Sequence, residues 1–134
     1  MPPITRLCTL LGIELPIVGA GTGSIATPRL AAAVTNAGGL GMTGAAGDPP
    51  ERVVARVQEI RSLTEGPTGV NVILELQPLE AIEAMLEAGI EVLATGFGAP
   101  DAAIALATRP ARASSIAARR PTRPGAPPRP ARTP

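Results

Sequence analysis

Three short stretches place small residues, or one polar side chain, at the ends or inside apolar runs: Ala20-Gly21-Thr22-Gly23, Asn71 within Gly69–Leu74, and Gly96-Phe97-Gly98. Glycines in such places let a flat or phosphorylated ligand come close to the backbone. The first stretch follows the apolar run Leu15–Val18 and precedes a helix-forming segment, as a dinucleotide-binding turn does. Two requirements of that turn fail. Its helix begins inside the glycine fingerprint and points its N-terminus at a pyrophosphate, whereas Thr27-Pro28 sets the helix start well beyond Gly23. It also needs an acidic residue at the end of the next strand for a ribose hydroxyl, and Leu40–Gly44 has none. What remains is a strand-end loop that admits a flat ring. Asn71 fits either a ligand contact or an amide satisfied by neighbouring backbone. Phe97 either packs on a ligand ring or shields the core. No catalytic residue or metal-ligand set emerges, because the sequence has no His. Cys8 reads as a small buried hydrophobe.

The elements that must position these stretches alternate regularly. Leu15–Val18 suits a buried strand. Thr27 is predicted to cap a helix with Pro28 at its first position; Leu30, Ala31 and Val34 share its inner face, and Gly38-Gly39 stops it. Leu40–Thr43 is the second strand. Asp48 is expected to cap the next helix, with Pro49 first and Glu51 completing a capping box, and Val53, Val57 and Ile60 form its apolar stripe. Gly69–Leu74 is a third strand. Pro78 opens a helix with Leu79, Ile82 and Leu86 on one face, ended by Gly89. Ile90–Thr95 makes a fourth strand, and Asp101 is expected to cap "DAAIALA". Four strand–helix units imply an α/β fold on a parallel sheet with right-handed crossovers. Doubly wound sheets and (β/α)₈ barrels are both built this way, and four units are half of a barrel of about 250 residues.

Composition divides the chain. Its 134 residues allow one domain with a modest core, which must be aliphatic because there is no Trp or Tyr and a single Phe. The lone Cys8 suits a reducing cytoplasm, no apolar run reaches the length of a membrane span, and the N-terminus lacks signal-peptide character; a cytoplasmic location is expected. Every acidic residue lies at or before Asp101, and seven of the twelve arginines follow it. Residues 1–107 are therefore expected to form the folded part, and residues 108–134, rich in Arg, Pro and Ala, a disordered tail. Out-of-frame reading of a GC-rich gene produces that composition, and the switch falls inside a helix, so a frameshift is the favoured origin. The competing reading is a basic tail that binds anionic partners. Without aromatic residues for base stacking, it would have no specific nucleic-acid target. A half barrel also exposes sheet edges through which a second copy could pair.

The stretches "TRLCTLLGIELPIVGAGTGSIATPRLAAAVTNAGGLGMTGAAG", "GPTGVNVIL" and "EAMLEAGIEVLATGFGAPD" together closely resemble the amino-terminal half of nitronate monooxygenases, formerly 2-nitropropane dioxygenases. The resemblance runs from about Thr5 to Leu106, and the "NAGGLG" turn at Asn36–Gly41 and the order of the three loops carry it. It implies an FMN-dependent (β/α)₈ (TIM) barrel that oxidises alkyl nitronates with O2, releasing nitrite and a carbonyl compound. By resemblance, Ala20, Gly21, Thr22 and Gly23 lie against the isoalloxazine ring, Asn71 hydrogen-bonds the flavin, and Gly96, Phe97 and Gly98 line the substrate side. The family usually has Gln where Gly19 stands and Met or a similar residue at Thr22. Its catalytic histidine and phosphate-binding loops lie in the second half of the barrel, so this chain is expected to be a truncated, inactive form. Related flavin barrels such as enoyl-acyl-carrier-protein reductase share much of the pattern and are the alternative.

Overall fold

Short aliphatic runs separated by helices assemble into a parallel sheet with helices against it. The computed structural model describes residues 4–109 and the backbone of residues 116–119. In chain order the elements are α1 Arg6–Leu11, β1 Val18–Gly19, α2 Pro28–Asn36, β2 Leu40–Ala45, α3 Pro50–Leu63, β3 Thr68–Ile73, α4 Leu79–Glu87, β4 Val92–Gly96, α5 Asp101–Ala107 and β5 Ile116–Arg119. Every pairing is parallel, and the strand order is β1-β2-β3-β4-β5. A doubly wound sheet reverses its strand order at a switch point; an order that follows the chain throughout is that of a barrel wall. The fold is therefore α/β, of the TIM-barrel class.

The alternation of side chains along each strand separates two cores. Val70 and Val72 of β3, Ala45 of β2 and Leu93 of β4 pack with Val53 and Val57 of α3, Ala81, Ile82 and Met85 of α4, and Ala103 and Ala107 of α5. The opposite face carries Leu40, Met42 and Val92, which pack with Cys8, Leu11 and Ile13. These last three come from α1 and its exit, so α1 covers this inner face near the N-terminal ends of β2 and β4. The sequence pattern missed α1. Thr5 caps it by accepting from the Cys8 N–H, and Gly12, at φ +66°, ends it.

Thr27 caps α2 as expected, its side chain accepting from Leu30 N at 3.2 Å with Pro28 in the first turn. Three other helix starts are shifted. Pro49, Pro78 and Pro100 hold the cap positions of α3, α4 and α5, without side-chain caps. Asp48 lies before its helix and is ion-paired with Arg52 and Arg56 instead. Asp101 is a first-turn residue, where its charge faces the positive end of the helix. The reason is steric: proline fixes its own φ and biases the preceding residue away from helical geometry. The first strand is also shorter and later than expected, Val18–Gly19.

Within the stretch expected to be a tail, Ile116–Arg119 pairs parallel with β4 from Val92↔Ile116 to Thr95↔Arg119. No proline interrupts the chain between Pro110 and Pro121, so this stretch can satisfy the N–H and C=O groups along β4. Arg109, also assigned to the tail, pairs with Glu83 of α4 at 2.9 Å. Residues 110–115 and 120–134, the remainder of the expected tail, lie outside the described residues.

Candidate functional site

In parallel α/β architectures ligands bind where the strands end. Here the backbone between β1 and α2 folds back over β2. A Cβ at Gly21 would lie 2.4 Å from the Thr43 carbonyl oxygen and 2.9 Å from Asn71 Cβ, and one at Gly44 would lie 2.9 Å from Gly23 N. Those glycines exist so that loop and strand backbones can touch. Two hydrogen bonds hold the arrangement: Thr43 Oγ1 donates to the Ala26 carbonyl at 3.1 Å, and Asn71 Nδ2 donates to the Gly21 carbonyl at 3.4 Å. Thr22 turns its hydroxyl back onto the Ala20 carbonyl at 3.2 Å. Behind the loop, a cleft of about 310 Å³ is lined by Gly19, Ala20, Thr22, Leu30, Val34 and Met42 among others.

Register places Asn71 between Gly44 of β2 and Ala94 of β4. Alternation puts it on the inner face with Met42 and Val92, one step nearer the strand ends. The half-buried amide thus stands between two small neighbours. Its Nδ2 satisfies loop backbone, as one of the two sequence readings required, while its Oδ1 accepts no hydrogen bond among the described residues. Nothing lies within 4 Å of a Cβ built at Gly23 or at Gly96. The sequence reading set Gly21 and Gly23 against a ring and Gly96 on the substrate side. Gly21 is filled by its own protein, and Gly23 and Gly96 are open. An open backbone surface on two loops and an unpaired amide acceptor fit the face and edge of a flat heterocycle.

On β4 the chain leaves the sheet at Gly96, whose carbonyl accepts from Leu74 N at 3.0 Å. Phe97 follows in left-handed backbone, φ +54°, with its side chain 70% exposed, so it does not shield the core. Gly98, at φ +103°, packs against Leu74. The loops after β2 and β3 are tied together by Gln77, a residue the sequence reading passed over. Its buried Nε2 donates to the Ala45 carbonyl at 2.6 Å and to the Asp48 carbonyl at 3.1 Å. A lone Gln before a proline carries no pattern that marks it.

Comparison with known proteins agrees with this geometry. The family model described as nitronate monooxygenase matches residues 4–102. A nitronate monooxygenase of Pseudomonas aeruginosa is 47% identical over 66 residues, which are 49% of this chain and 19% of that protein. Thus the match spans about a fifth of the relative's length. Among solved structures, FabK from Thermotoga maritima is similar with a TM-score of 0.77 and 33% identity, over 86% of this chain and 36% of that one. Nitroalkane oxidase from Streptomyces ansochromogenes has a TM-score of 0.68 and 27% identity, over 86% of this chain and 42% of its own. With the parallel strand order, the glycine loop folded on β2 and the model matched from residue 4 to residue 102, the chain belongs to the nitronate monooxygenase family.

Proposed function

We propose that this chain carries the flavin-facing part of an FMN-dependent nitronate monooxygenase site. The observation that carries the reading is the Asn71 amide, held by one hydrogen bond to Gly21, with its Oδ1 unpaired between Gly44 and Ala94. When bound, FMN supplies the electron acceptor for oxidation of an alkyl nitronate and passes the electrons to O2. Asn71 Oδ1 accepts from a ring N–H, Ala20–Gly23 lie along the ring, and Gly96, Phe97 and Gly98 face the nitronate. The sequence contains no His, and a general base contributes on the order of 10²–10⁴ in rate. We infer that this chain alone binds FMN weakly and does not turn nitronates over at a useful rate. The unpaired edge of β1, flanked by the exposed side chains of Ile17, Val18 and Leu30, supports self-association. The lone, buried Cys8 supports a reducing, cytoplasmic setting.

Quenching of flavin fluorescence on titration with the chain tests the binding. Asn71→Leu is expected to weaken it about tenfold, the equivalent of one hydrogen bond of about 1.4 kcal/mol. Equal affinity of both proteins would sink the assignment of Asn71. A second reading, a related flavin barrel with another substrate, is favoured by the higher TM-score to FabK than to nitroalkane oxidase. Flavin reduction by a nicotinamide and not by ethyl nitronate would favour that reading.

A further inference from the structure

We propose that Phe97 selects the substrate, its ring forming an apolar wall for the alkyl group of a nitronate beside Gly96; this rests on the nitronate reading of the site. Phe97 is the only aromatic residue of the sequence. Were β4 to continue, residue 97 would share the face of Leu93, packed against the helices, and Thr95, also buried. A left-handed turn prevents this. Phe97 is the one non-glycine residue with positive φ among the described residues, at +54°. Left-handed backbone costs free energy at any residue with a Cβ, and an exposed aromatic ring forgoes the gain of burial. The neighbours leave it no alternative: the Gly96 carbonyl is bonded by Leu74 N at 3.0 Å, and Gly98, at φ +103°, sits against Leu74.

Two unfavourable features are thus kept together where the strand ends. Strain of this kind persists where surrounding structure over-determines it, and it clusters at ligand sites. The loops after β1 and β3 show the same habit, with Ile25 74% and Leu76 55% exposed. One large apolar side chain from each of three loops therefore stands uncovered at the strand ends. A ligand with an apolar portion recovers the missing burial on binding. A flat, purely polar ligand does not. Among nitronates, the alkyl chain is the part that varies, so the wall discriminates by chain length.

The test titrates the full chain, with and without FMN, with ethyl, butyl and hexyl nitronate by calorimetry. Phe97→Trp adds an optical readout, since the sequence has no other Trp. The native chain should tighten by up to about fourfold per added methylene, the value for complete burial of a CH₂. Phe97→Leu should keep most of that slope, and Phe97→Asn should lose it. Asn accepts left-handed backbone, so Phe97→Asn should melt no lower than the native chain and take up FMN equally. The same slope for native and Phe97→Asn proteins, with FMN bound by both, overturns the proposal and leaves the flavin reading standing. A slope that depends on Phe97 without any FMN uptake supports the wall and removes the flavin. Absence of nitronate binding in both forms overturns both.

Discussion

At the scale of single residues, the same amino acid does opposite jobs. Gly21 is a packing requirement: the space its side chain would need is taken by the Thr43 carbonyl and Asn71 Cβ. Gly21→Ala must push the loop off β2, and it should cost about 1–3 kcal/mol, the range for overpacking. Gly96 has open space and no positive φ, so Gly96→Ala should change stability by no more than about 0.5 kcal/mol while intruding on the nitronate side. Urea unfolding of the two variants, paired with nitronate titration, separates these effects; equal stabilities would contradict the packing role of Gly21. The sequence made the glycine cluster visible. It did not reveal which glycine faces protein and which faces open space, because that depends on where the loop folds relative to β2.

Among the elements, strand N-termini are held by side chains and strand C-termini by loops. Glu91, just before β4, accepts from Thr68 N at 2.9 Å and Thr68 Oγ1 at 3.2 Å and pairs with Arg61 of α3 at 2.5 Å. Thr68 is buried, so Glu91→Ala leaves its N–H without a partner, at a cost of about 1–3 kcal/mol. Arg61 is partly exposed, and Arg61→Ala should cost less than about 1 kcal/mol. Similar denaturation midpoints for the two variants would show that the ion pair, and not the backbone contact, is what matters. Thr27→Ala should cost about 1 kcal/mol through the lost cap of α2, while Asp48→Ala removes no helix cap. Periodicity located all four principal helices; Ala31, Val53, Val57, Ile60, Ile82 and Leu86 of their expected stripes are buried, whereas Leu30 and Leu79, also assigned to inner faces, are 50% and 43% exposed and Val34 is half-buried. Three of the starts, all beside prolines, are displaced by one residue, a local steric effect that capping rules based on Asp do not anticipate.

At the scale of the whole molecule, β1 and β5 are the strands with a single neighbour among the described residues, and β1, with Ile17 just before it, exposes Ile17 and Val18 at 57% and 43%. Edges of that kind template further pairing. The chain should therefore show concentration-dependent association in sedimentation velocity, and Val18→Lys should reduce it. A monomer at all concentrations would argue that the edge is protected. On the other side, β4 is paired with Ile116–Arg119, a stretch whose composition gave no sign of a strand. Its short apolar content became strand because an adjacent edge was available, which is information held by the sheet and not by the segment.

The sequence by itself determined the class of fold, the order of the βα units, most of the core and the location of three glycine-rich strand ends. These follow from periodicity, proline and glycine, which act within a few residues of one another. Tertiary structure decided the rest: that strand order follows the chain, that α1 closes the inner face, that Gln77 joins two loops, and that Asn71 spends its Nδ2 on Gly21, fifty residues away in sequence. Each depends on groups distant along the chain being brought within hydrogen-bond or van der Waals range. Local pattern carries no record of such distances.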